Sequence, residues 1–288
     1  MSNYRGRLAP SPTGYLHLGH ARTFRVANQR AQAAGGKLIF RNEDLDFQRC
    51  KPEFVQAMYE DLHWLGLTWD EGPDIGGPFA PYSQNQRRSV YLECWRRLRD
   101  GGFIYPCSCS RKDLERALSA PHDDGDEMPY PGTCRDKIST AQSWELPAGI
   151  SWRFKVPDGE SVGFNDAVFG RQQFTAGLDF SDFLVWRRDD IPAYQLAVVA
   201  DDVAMQITEV VRGADLLKST ARQLLLIRAL EASVPRYFHC PLVRDASNIR
   251  LAKRHDALSL RMLRFQGADP ALLCKQFAEQ VDWQKDLP

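Results

Sequence analysis

Residues 7–20 decide the fold, and they read Arg-Leu-Ala-Pro-Ser-Pro-Thr-Gly-Tyr-Leu-His-Leu-Gly-His. The stretch predicts a strand from Tyr4 to Leu8, then a stiff loop, then a helix that begins near His17. Two prolines restrict φ in the loop, and the Thr-Gly pair after them allows the backbone to approach a ligand closely. A strand, a loop and a helix N-terminus in this order form an anion-binding site, because unpaired N–H groups point at the ligand.

Two histidines, His17 and His20, stand three positions apart at the start of this helix and therefore share one face. Paired imidazoles at a helix N-terminus can donate hydrogen bonds to phosphate oxygens whose negative charge grows during a reaction. His-x-x-His is a weak pattern by itself, so a solvated surface pair and a pair of metal ligands remain alternatives.

The whole stretch, Pro-Ser-Pro-Thr-Gly followed by His-Leu-Gly-His, resembles the first ATP-binding signature of class I aminoacyl-tRNA synthetases, specifically of their glutamyl branch. The resemblance implies that His17, Gly19 and His20 bind ATP, with Mg²⁺ as its companion ion. It also implies that the two histidines are catalytic.

Composition sets the broad class. Hydrophobic residues make up 43% of the 288 residues and charged residues 26%, as in an ordinary globular protein. No apolar run approaches the roughly 20 residues of a membrane helix, and the N-terminus, with Arg5 and Arg7, is not a signal peptide. An odd number of cysteines, seven, does not indicate a secreted disulfide framework. We therefore expect a cytoplasmic protein without membrane contact. Its net charge of zero means that RNA contacts must come from local patches.

Residues 4–41 have the sequence pattern of a strand, a helix and a second strand. The helix is predicted from His17 to Ala34 and ends at two glycines, and Lys37 to Arg41 then reads as a buried strand. Such a unit predicts a parallel crossover and an α/β fold, which the resemblance makes Rossmann-like.

This second strand runs into the acid-rich segment Arg-Asn-Glu-Asp-Leu-Asp, residues 41–46. Open α/β sheets bind ligands at the carboxyl ends of their strands, although acid-rich turns are also common there. The segment resembles an Arg-x-Glu-Asp-x-Asp stretch of glutamyl synthetases. That resemblance assigns Glu43 to the substrate amino group and gives Asp44 and Asp46 a structural role.

Three cysteines form the best metal candidate: Cys107, Cys109 and Cys134. Three thiolates satisfy most of a tetrahedral zinc shell, with free thiols as the alternative. His122 is the chemically conventional fourth ligand. The spacing Cys-x-Cys…Tyr-x-x-x-Cys instead resembles the zinc site of glutamyl-queuosine tRNA(Asp) synthetases, which implies Tyr130. We expect one structural Zn²⁺ per chain.

Further along, residues 192–202 and the buried strand 207–215 return to the α/β pattern. The resemblance places six residues against the amino-acid substrate: Arg7, Ala9, Ser11, Glu43, Tyr194 and Arg212. Glutamate carries two carboxylates, and the arginine fork binds a carboxylate with two hydrogen bonds, so Arg7 and Arg212 are its expected anchors. We expect Arg212 to meet the side-chain carboxylate.

A basic segment, Ile-Arg-Leu-Ala-Lys-Arg-His, occupies residues 249–255. Cationic loops stabilise charge that builds on ATP phosphates, although the segment alone could be a basic surface loop. It resembles the second class I signature, Lys-x-Ser-Lys-Arg, but has Arg250 for the first lysine and Ala252 for the serine. Lys253 is retained, and the resemblance makes it catalytic and ATP-binding.

The resemblance implies four parts. Residues 1–102 and 191–260 form the two halves of the catalytic domain, 103–190 a zinc-containing α+β insertion that binds the nucleic-acid acceptor, and 261–288 a short helical tail. Full glutamyl-tRNA synthetases continue into domains that read the anticodon. The residues after Arg254 are too few to build one.

The motif order and this short tail resemble the glutamyl-queuosine tRNA(Asp) synthetases, which are stand-alone paralogues of the glutamyl enzymes. The resemblance implies a monomer that activates L-glutamate with ATP and transfers it to queuosine in the anticodon stem-loop of tRNA(Asp). Two other hypotheses remain. One is a minimal or truncated glutamyl-tRNA synthetase that charges a tRNA 3′ end. The other is a non-catalytic zinc-containing RNA-binding module, which the acidic and cationic pocket residues disfavour.

Overall fold

The structure, a computed structural model, describes residues 2–110, 113, 130–243 and 259–288. Its strands are β1 (Arg5–Leu8), β2 (Lys37–Phe40), β3 (Ile104–Cys107), β4 (Ser151–Phe154), β5 (Ser161–Asp166), β6 (Gly170–Thr175), β7 (Phe183–Trp186), β8 (Glu209–Gly213) and β9 (Arg236–Cys240). Its α-helices are α1 (Leu18–Ala33), α2 (Pro52–Trp64), α3 (Arg88–Asp100), α4 (Tyr194–Ala204), α5 (Leu217–Ala229), α6 (Leu260–Phe265) and α7 (Pro270–Gln280). Within the described part of the chain, no helix combines the length and apolarity needed to cross a membrane.

The predicted α/β fold is confirmed at its first unit. β1 and β2 pair in parallel, with Arg7 opposite Ile39, and α1 connects them. β8 lies on the other side of β1, where the Thr208 amide donates to the Arg5 carbonyl oxygen at 2.9 Å. β8 in turn pairs in parallel with β9, within a four-stranded sheet of order β6-β5-β9-β8. We call these four strands together with β1 and β2 the catalytic sheet. The carboxyl ends of the parallel strands β1, β2, β8 and β9 therefore meet at one edge of the sheet.

The strands from β3 to β7 belong to two different sheets. β3, β4 and β7 form a separate antiparallel sheet, as expected for an α+β insertion. The hairpin of β5 and β6, however, extends the catalytic sheet, because Asp166 of β5 pairs in parallel with Tyr237 of β9. Alternating apolar residues predict strands but do not specify which sheet they join. The boundaries at residues 103 and 190 remain a prediction.

The two largest apolar cores among the described residues hold these layers together. The insertion shares one of them with α3, α4 and α5, and there Trp95 and Trp152 meet edge to face with ring centroids 4.9 Å apart. The second core lies among α1, α2, β1 and β2, and α7 of the helical C-terminal segment contributes Phe277. α1 is also joined to the sheet by Arg30, which donates to both carboxylate oxygens of Glu209 at 2.7 and 2.8 Å.

Candidate active site

An open cavity lies at the carboxyl ends of β1 and β8, beside the N-terminus of α1. Every described residue that the sequence predicted to bind ATP or glutamate lines it: Arg7, Ala9, Ser11, His17, Gly19, His20, Glu43, Tyr194 and Arg212. Lys253, the remaining predicted residue, lies outside the described residues. Residues from distant parts of the chain thus meet at the edge where α/β sheets bind ligands.

The two histidines begin α1. His17 is its N-cap, and its Nδ1 accepts a hydrogen bond from the Gly19 amide at 3.0 Å. The rings of His17 and His20 stack, with centroids 3.7 Å apart. Because Nδ1 of His17 accepts, the neutral ring carries its proton on Nε2. This arrangement places two imidazoles at the positive end of a helix dipole.

The described residues on either side of positions 244–258 lie at or beside the same cavity. Val243 lines it, and Ser259 forms an isolated antiparallel bridge with His17. The Leu260 amide donates to the Leu16 carbonyl oxygen at 2.7 Å and reinforces that bridge. Residues 244–258, which include Lys253, are not among the described residues.

Glu43 is held by a buried arginine that the sequence motifs did not single out. Arg41 is fully buried, and its Nη2 donates to Glu43 Oε1 at 3.0 Å while its Nη1 donates to Asp202 Oδ1 at 2.6 Å. Burial raises the pKa of Glu43, and the charge of Arg41 opposes that shift. Arg41 therefore fixes the orientation of a carboxylate that lines the cavity.

Three arginines, each only 5% exposed, line the cavity: Arg22 and the two that the sequence predicted, Arg7 and Arg212. Arg7 donates from Nη1 to the Val211 carbonyl oxygen at 2.7 Å, and its Nε lies 3.7 Å from Asp202 Oδ1. Burial lowers the pKa of Arg7, although a guanidinium stays protonated in proteins. Arg212 donates from Nε to His239 Nε2 and from Nη2 to Thr220 Oγ1. Its buried Nη1 has no hydrogen-bond partner among the described residues.

Tyr194 is the first residue of α4 and lines the cavity with 42% of its surface exposed. Its position differs from that of the buried residues that follow it in α4, which pack into the shared core. Tyr194 can therefore contact a ligand that enters the cavity.

The acidic residues next to Glu43 have different surroundings. Asp44 accepts hydrogen bonds from the Asn42 side chain at 3.0 Å and from the Asn85 amide at 2.9 Å. Asp46 pairs with the exposed Arg49. Asp44 thus ties the loop after β2 to the segment before α3, away from the residues that line the cavity.

The three predicted cysteines come together at the edge of the insertion sheet. Their Sγ atoms lie within 4.8 Å of one another, and this set could hold a metal ion. Tyr130 Oη lies 3.4 Å from Cys107 Sγ and 3.7 Å from Cys109 Sγ. Burial raises the pKa of the Cys109 thiol to about 11. His122, the rival fourth ligand, lies outside the described residues.

The sheet, the helix N-terminus and the cavity between them are those of a class I synthetase catalytic domain. Residues 3–281 match the family described as tRNA synthetases class I (E and Q), catalytic domain, and the chain belongs to this family.

Within the family, the chain is similar to two proteins named Glutamyl-Q tRNA(Asp) synthetase. It is 48% identical to the one from Nitratidesulfovibrio vulgaris, covering 93% of this chain and 83% of the relative. It is 46% identical to the one from Symbiobacterium thermophilum, covering 92% and 82% respectively. Among solved structures, a glutamate-tRNA synthetase from Elizabethkingia anophelis superimposes with a TM-score of 0.77 at 30% identity. That match covers 87% of this chain and 52% of the solved one, so the chain spans about half of that synthetase.

Proposed function

We propose that this protein activates L-glutamate with ATP and transfers it to the queuosine base in the anticodon loop of tRNA(Asp). Family membership already implies ATP, an amino acid and tRNA as partners. The names of the two relatives, at 46–48% identity, support queuosine as the acceptor. The cytoplasm is the location that this reaction implies.

The observation that carries the proposal is one cavity whose lining includes Arg7, Arg212 and Glu43. L-Glutamate has two carboxylates and one ammonium group, and Arg7, Arg212 and Glu43 complement those charges one for one. We assign Arg212 to the side-chain carboxylate, Glu43 to the ammonium group, and Ala9, Ser11 and Tyr194 to the surrounding wall. A charge-assisted fork at a buried site binds more strongly than a neutral contact.

In the first step, an oxygen of the glutamate α-carboxylate attacks the α-phosphorus of ATP and displaces pyrophosphate. We assign His17, Gly19 and His20 at the N-terminus of α1 to the ATP phosphates, where helix N–H groups and imidazoles stabilise growing negative charge. Lys253 is assigned to the same phosphates. In the second step, a hydroxyl of queuosine attacks the acyl carbon and displaces AMP.

We further propose that the thiol cluster, Cys107, Cys109 and Cys134 together with Tyr130, holds one structural Zn²⁺. Around a tetrahedral zinc, two sulfur ligands lie about 3.8 Å apart and a sulfur and an oxygen ligand about 3.5 Å apart. Cys109 Sγ and Cys134 Sγ are 3.6 Å apart, and Tyr130 Oη lies 3.4 and 3.7 Å from two sulfurs. The donor set therefore fits zinc. The ion would fix the edge of the insertion sheet.

The proposal is tested by glutamate transfer to three RNAs: tRNA(Asp) that carries queuosine, tRNA(Asp) that lacks it, and tRNA(Glu). We expect transfer to the first alone. Transfer to tRNA(Glu) would instead support a glutamyl-tRNA synthetase, the activity named for the solved structure from Elizabethkingia anophelis. Absence of glutamate-dependent pyrophosphate exchange with every RNA would contradict both and favour an RNA-binding module.

A further inference from the structure

Two buried side chains, His239 and Asp166, orient Arg212 through consecutive hydrogen bonds, and neither belongs to a sequence motif. Arg212 Nε lies 3.1 Å from His239 Nε2. On the other side of the ring, His239 Nδ1 lies 2.6 Å from Asp166 Oδ2. Asp166, His239 and Arg212 stand on β5, β9 and β8, which are neighbours in the catalytic sheet. We call these three residues the Asp166 row.

Asp166 is anchored at the end of β5 by backbone amides. Its Oδ1 accepts from the amides of Val168 at 3.0 Å and Phe169 at 2.9 Å, and its Oδ2 accepts from the His239 amide at 3.0 Å. Burial alone would raise the pKa of Asp166, but these hydrogen bonds and that from the His239 ring lower it. Asp166 is therefore an ionised carboxylate that cannot rotate without losing its donors.

A hydrogen-bond donor at one end of the ring and an acceptor at the other decide where the His239 proton lies. The guanidinium Nε–H of Arg212 can only donate, so the nearby Nε2 of His239 must accept. The carboxylate of Asp166 can only accept, so Nδ1 must carry the proton. His239 is consequently the neutral Nδ1–H tautomer. Burial, and then the charge of Arg212, lower the pKa of His239 and favour this form, although Asp166 opposes them.

We propose that Asp166 and His239 are positioning residues that hold the Arg212 fork in the orientation that binds substrate. With Nε on His239 and Nη2 on Thr220 Oγ1 at 2.7 Å, the guanidinium plane is fixed at two of its three nitrogens. The third, Nη1, is the group left to bind a carboxylate. This inference rests on the proposed function, in which that carboxylate belongs to glutamate.

The test is Asp166→Asn in the full chain. Two backbone amides donate at the Oδ1 position, so the new side-chain oxygen occupies it and the NH₂ group faces His239. The His239 ring must then accept at Nδ1 and carry its proton on Nε2. Two donors, His239 Nε2–H and Arg212 Nε–H, would then face each other, and the hydrogen bond between them would be lost. We expect the KM for glutamate in pyrophosphate exchange to rise about tenfold or more, while the KM for ATP stays unchanged.

Two further comparisons separate positioning from simple stabilisation of the sheet. His239→Gln can place an acceptor near the former Nε2 position and should retain more glutamate affinity than His239→Leu. Glu209→Gln is the matched control, because Glu209 is a buried carboxylate of the same sheet whose partner is Arg30. It should lower Tm without changing the KM for glutamate.

The tautomer can be measured without any activity, by ¹⁵N NMR of the full chain labelled at histidine, with the His239 signals identified by their loss in His239→Gln. We expect the neutral Nδ1–H form in the wild-type protein and the Nε2–H form in Asp166→Asn. An imidazolium or an Nε2–H ring in the wild-type protein would overturn the proposal. So would an unchanged KM for glutamate in a folded Asp166→Asn. If the wild-type chain fails to activate glutamate, the proposed function is wrong. The His239 tautomer then tests by itself whether Asp166 and His239 orient Arg212.

Discussion

At the scale of single residues, the cavity is defined by buried charges whose orientation the protein fixes. Arg41 holds Glu43, and Asp202 accepts from Arg41 and lies 3.7 Å from Arg7 Nε. Charges in such surroundings interact more strongly than in water, and they lose little free energy to reorganisation when a ligand arrives. A small zwitterion with one extra carboxylate is the kind of ligand that these fixed charges favour.

Arg212→Ala should weaken glutamate binding strongly. The substitution removes a charge-assisted contact to the substrate carboxylate, which corresponds to on the order of 2–3 kcal/mol, or roughly a 30- to 140-fold higher KM for glutamate. The KM for ATP should change little. Both values come from pyrophosphate exchange measured at varied glutamate and ATP.

Arg228→Ala is the matched control for this variant. Arg228 lies on α5 in an exposed ion pair with Glu160, and exposed pairs contribute little. Its removal should leave both KM values unchanged. If Arg212→Ala lowered Tm but kept the wild-type KM for glutamate, Arg212 would have only a structural role.

The raised pKa of Glu43 predicts how glutamate binding depends on pH. Only the ionised carboxylate can hold the substrate ammonium group, and burial shifts the titration of Glu43 to higher pH than that of an ordinary glutamate. The KM for glutamate should therefore rise as pH falls through that raised pKa. In Glu43→Gln this rise should be absent and the KM should be high at every pH. A wild-type KM that is flat across the acidic range would show that Glu43 does not hold the ammonium group.

The residues that the sequence motifs and the resemblance placed at ATP and glutamate line one cavity, because they sit at strand ends and at a helix N-terminus. Their roles remain predictions. The sequence did not predict the residues that orient them. Asp166 and His239 are separated by 73 positions and meet only because β5 and β9 are neighbours. Arg41 lies two residues before Glu43 within a quoted motif. The closeness of Arg41 to Glu43 in the sequence was therefore the one local indication that Arg41 orients Glu43.

At the scale of elements, the predicted and observed structures agree where residues close in sequence determine the element. α1 was predicted from His17 to Ala34 and runs from Leu18 to Ala33, because the cap at its start and the glycines after its end are local signals. The β5–β6 hairpin lies within residues 103–190, which the resemblance assigned to the insertion. Its pairing with β9 is a long-range contact that strand patterns do not encode.

The thiol cluster gives a test at this scale. The purified protein should contain one zinc per chain, and Cys107→Ser should remove it and impair glutamate transfer to RNA more than adenylate formation. Tyr130→Phe removes the oxygen that we propose as the fourth zinc ligand, so its zinc content should fall as well. Elemental analysis of the purified variants measures these changes.

His122→Ala is the control for the fourth ligand. It should leave the zinc content unchanged if Tyr130 binds the ion. Zinc that persists in Tyr130→Phe but disappears in His122→Ala would reverse the assignment, whereas zinc that is absent from the wild-type protein would exclude the metal site.

At the scale of the whole molecule, the insertion is positioned by packing against the catalytic domain. Trp152 of the insertion sheet and Trp95 of α3 lie in one apolar core with residues of α4, the helix that begins at Tyr194. Close-packed interiors resist displacement. An RNA bound by the insertion would therefore meet the cavity in a defined orientation. Since the chain has no net charge, local arginines and lysines would supply the phosphate contacts.

The position of the transferred glutamate distinguishes the possible acceptors most directly. Queuosine-containing tRNA(Asp) is incubated with the protein, ATP and radiolabelled glutamate, then digested with nuclease, and the labelled nucleoside is identified. The proposed function predicts that the label lies on the queuosine nucleoside. Label on the 3′-terminal adenosine would contradict it and would identify a synthetase that charges the tRNA end.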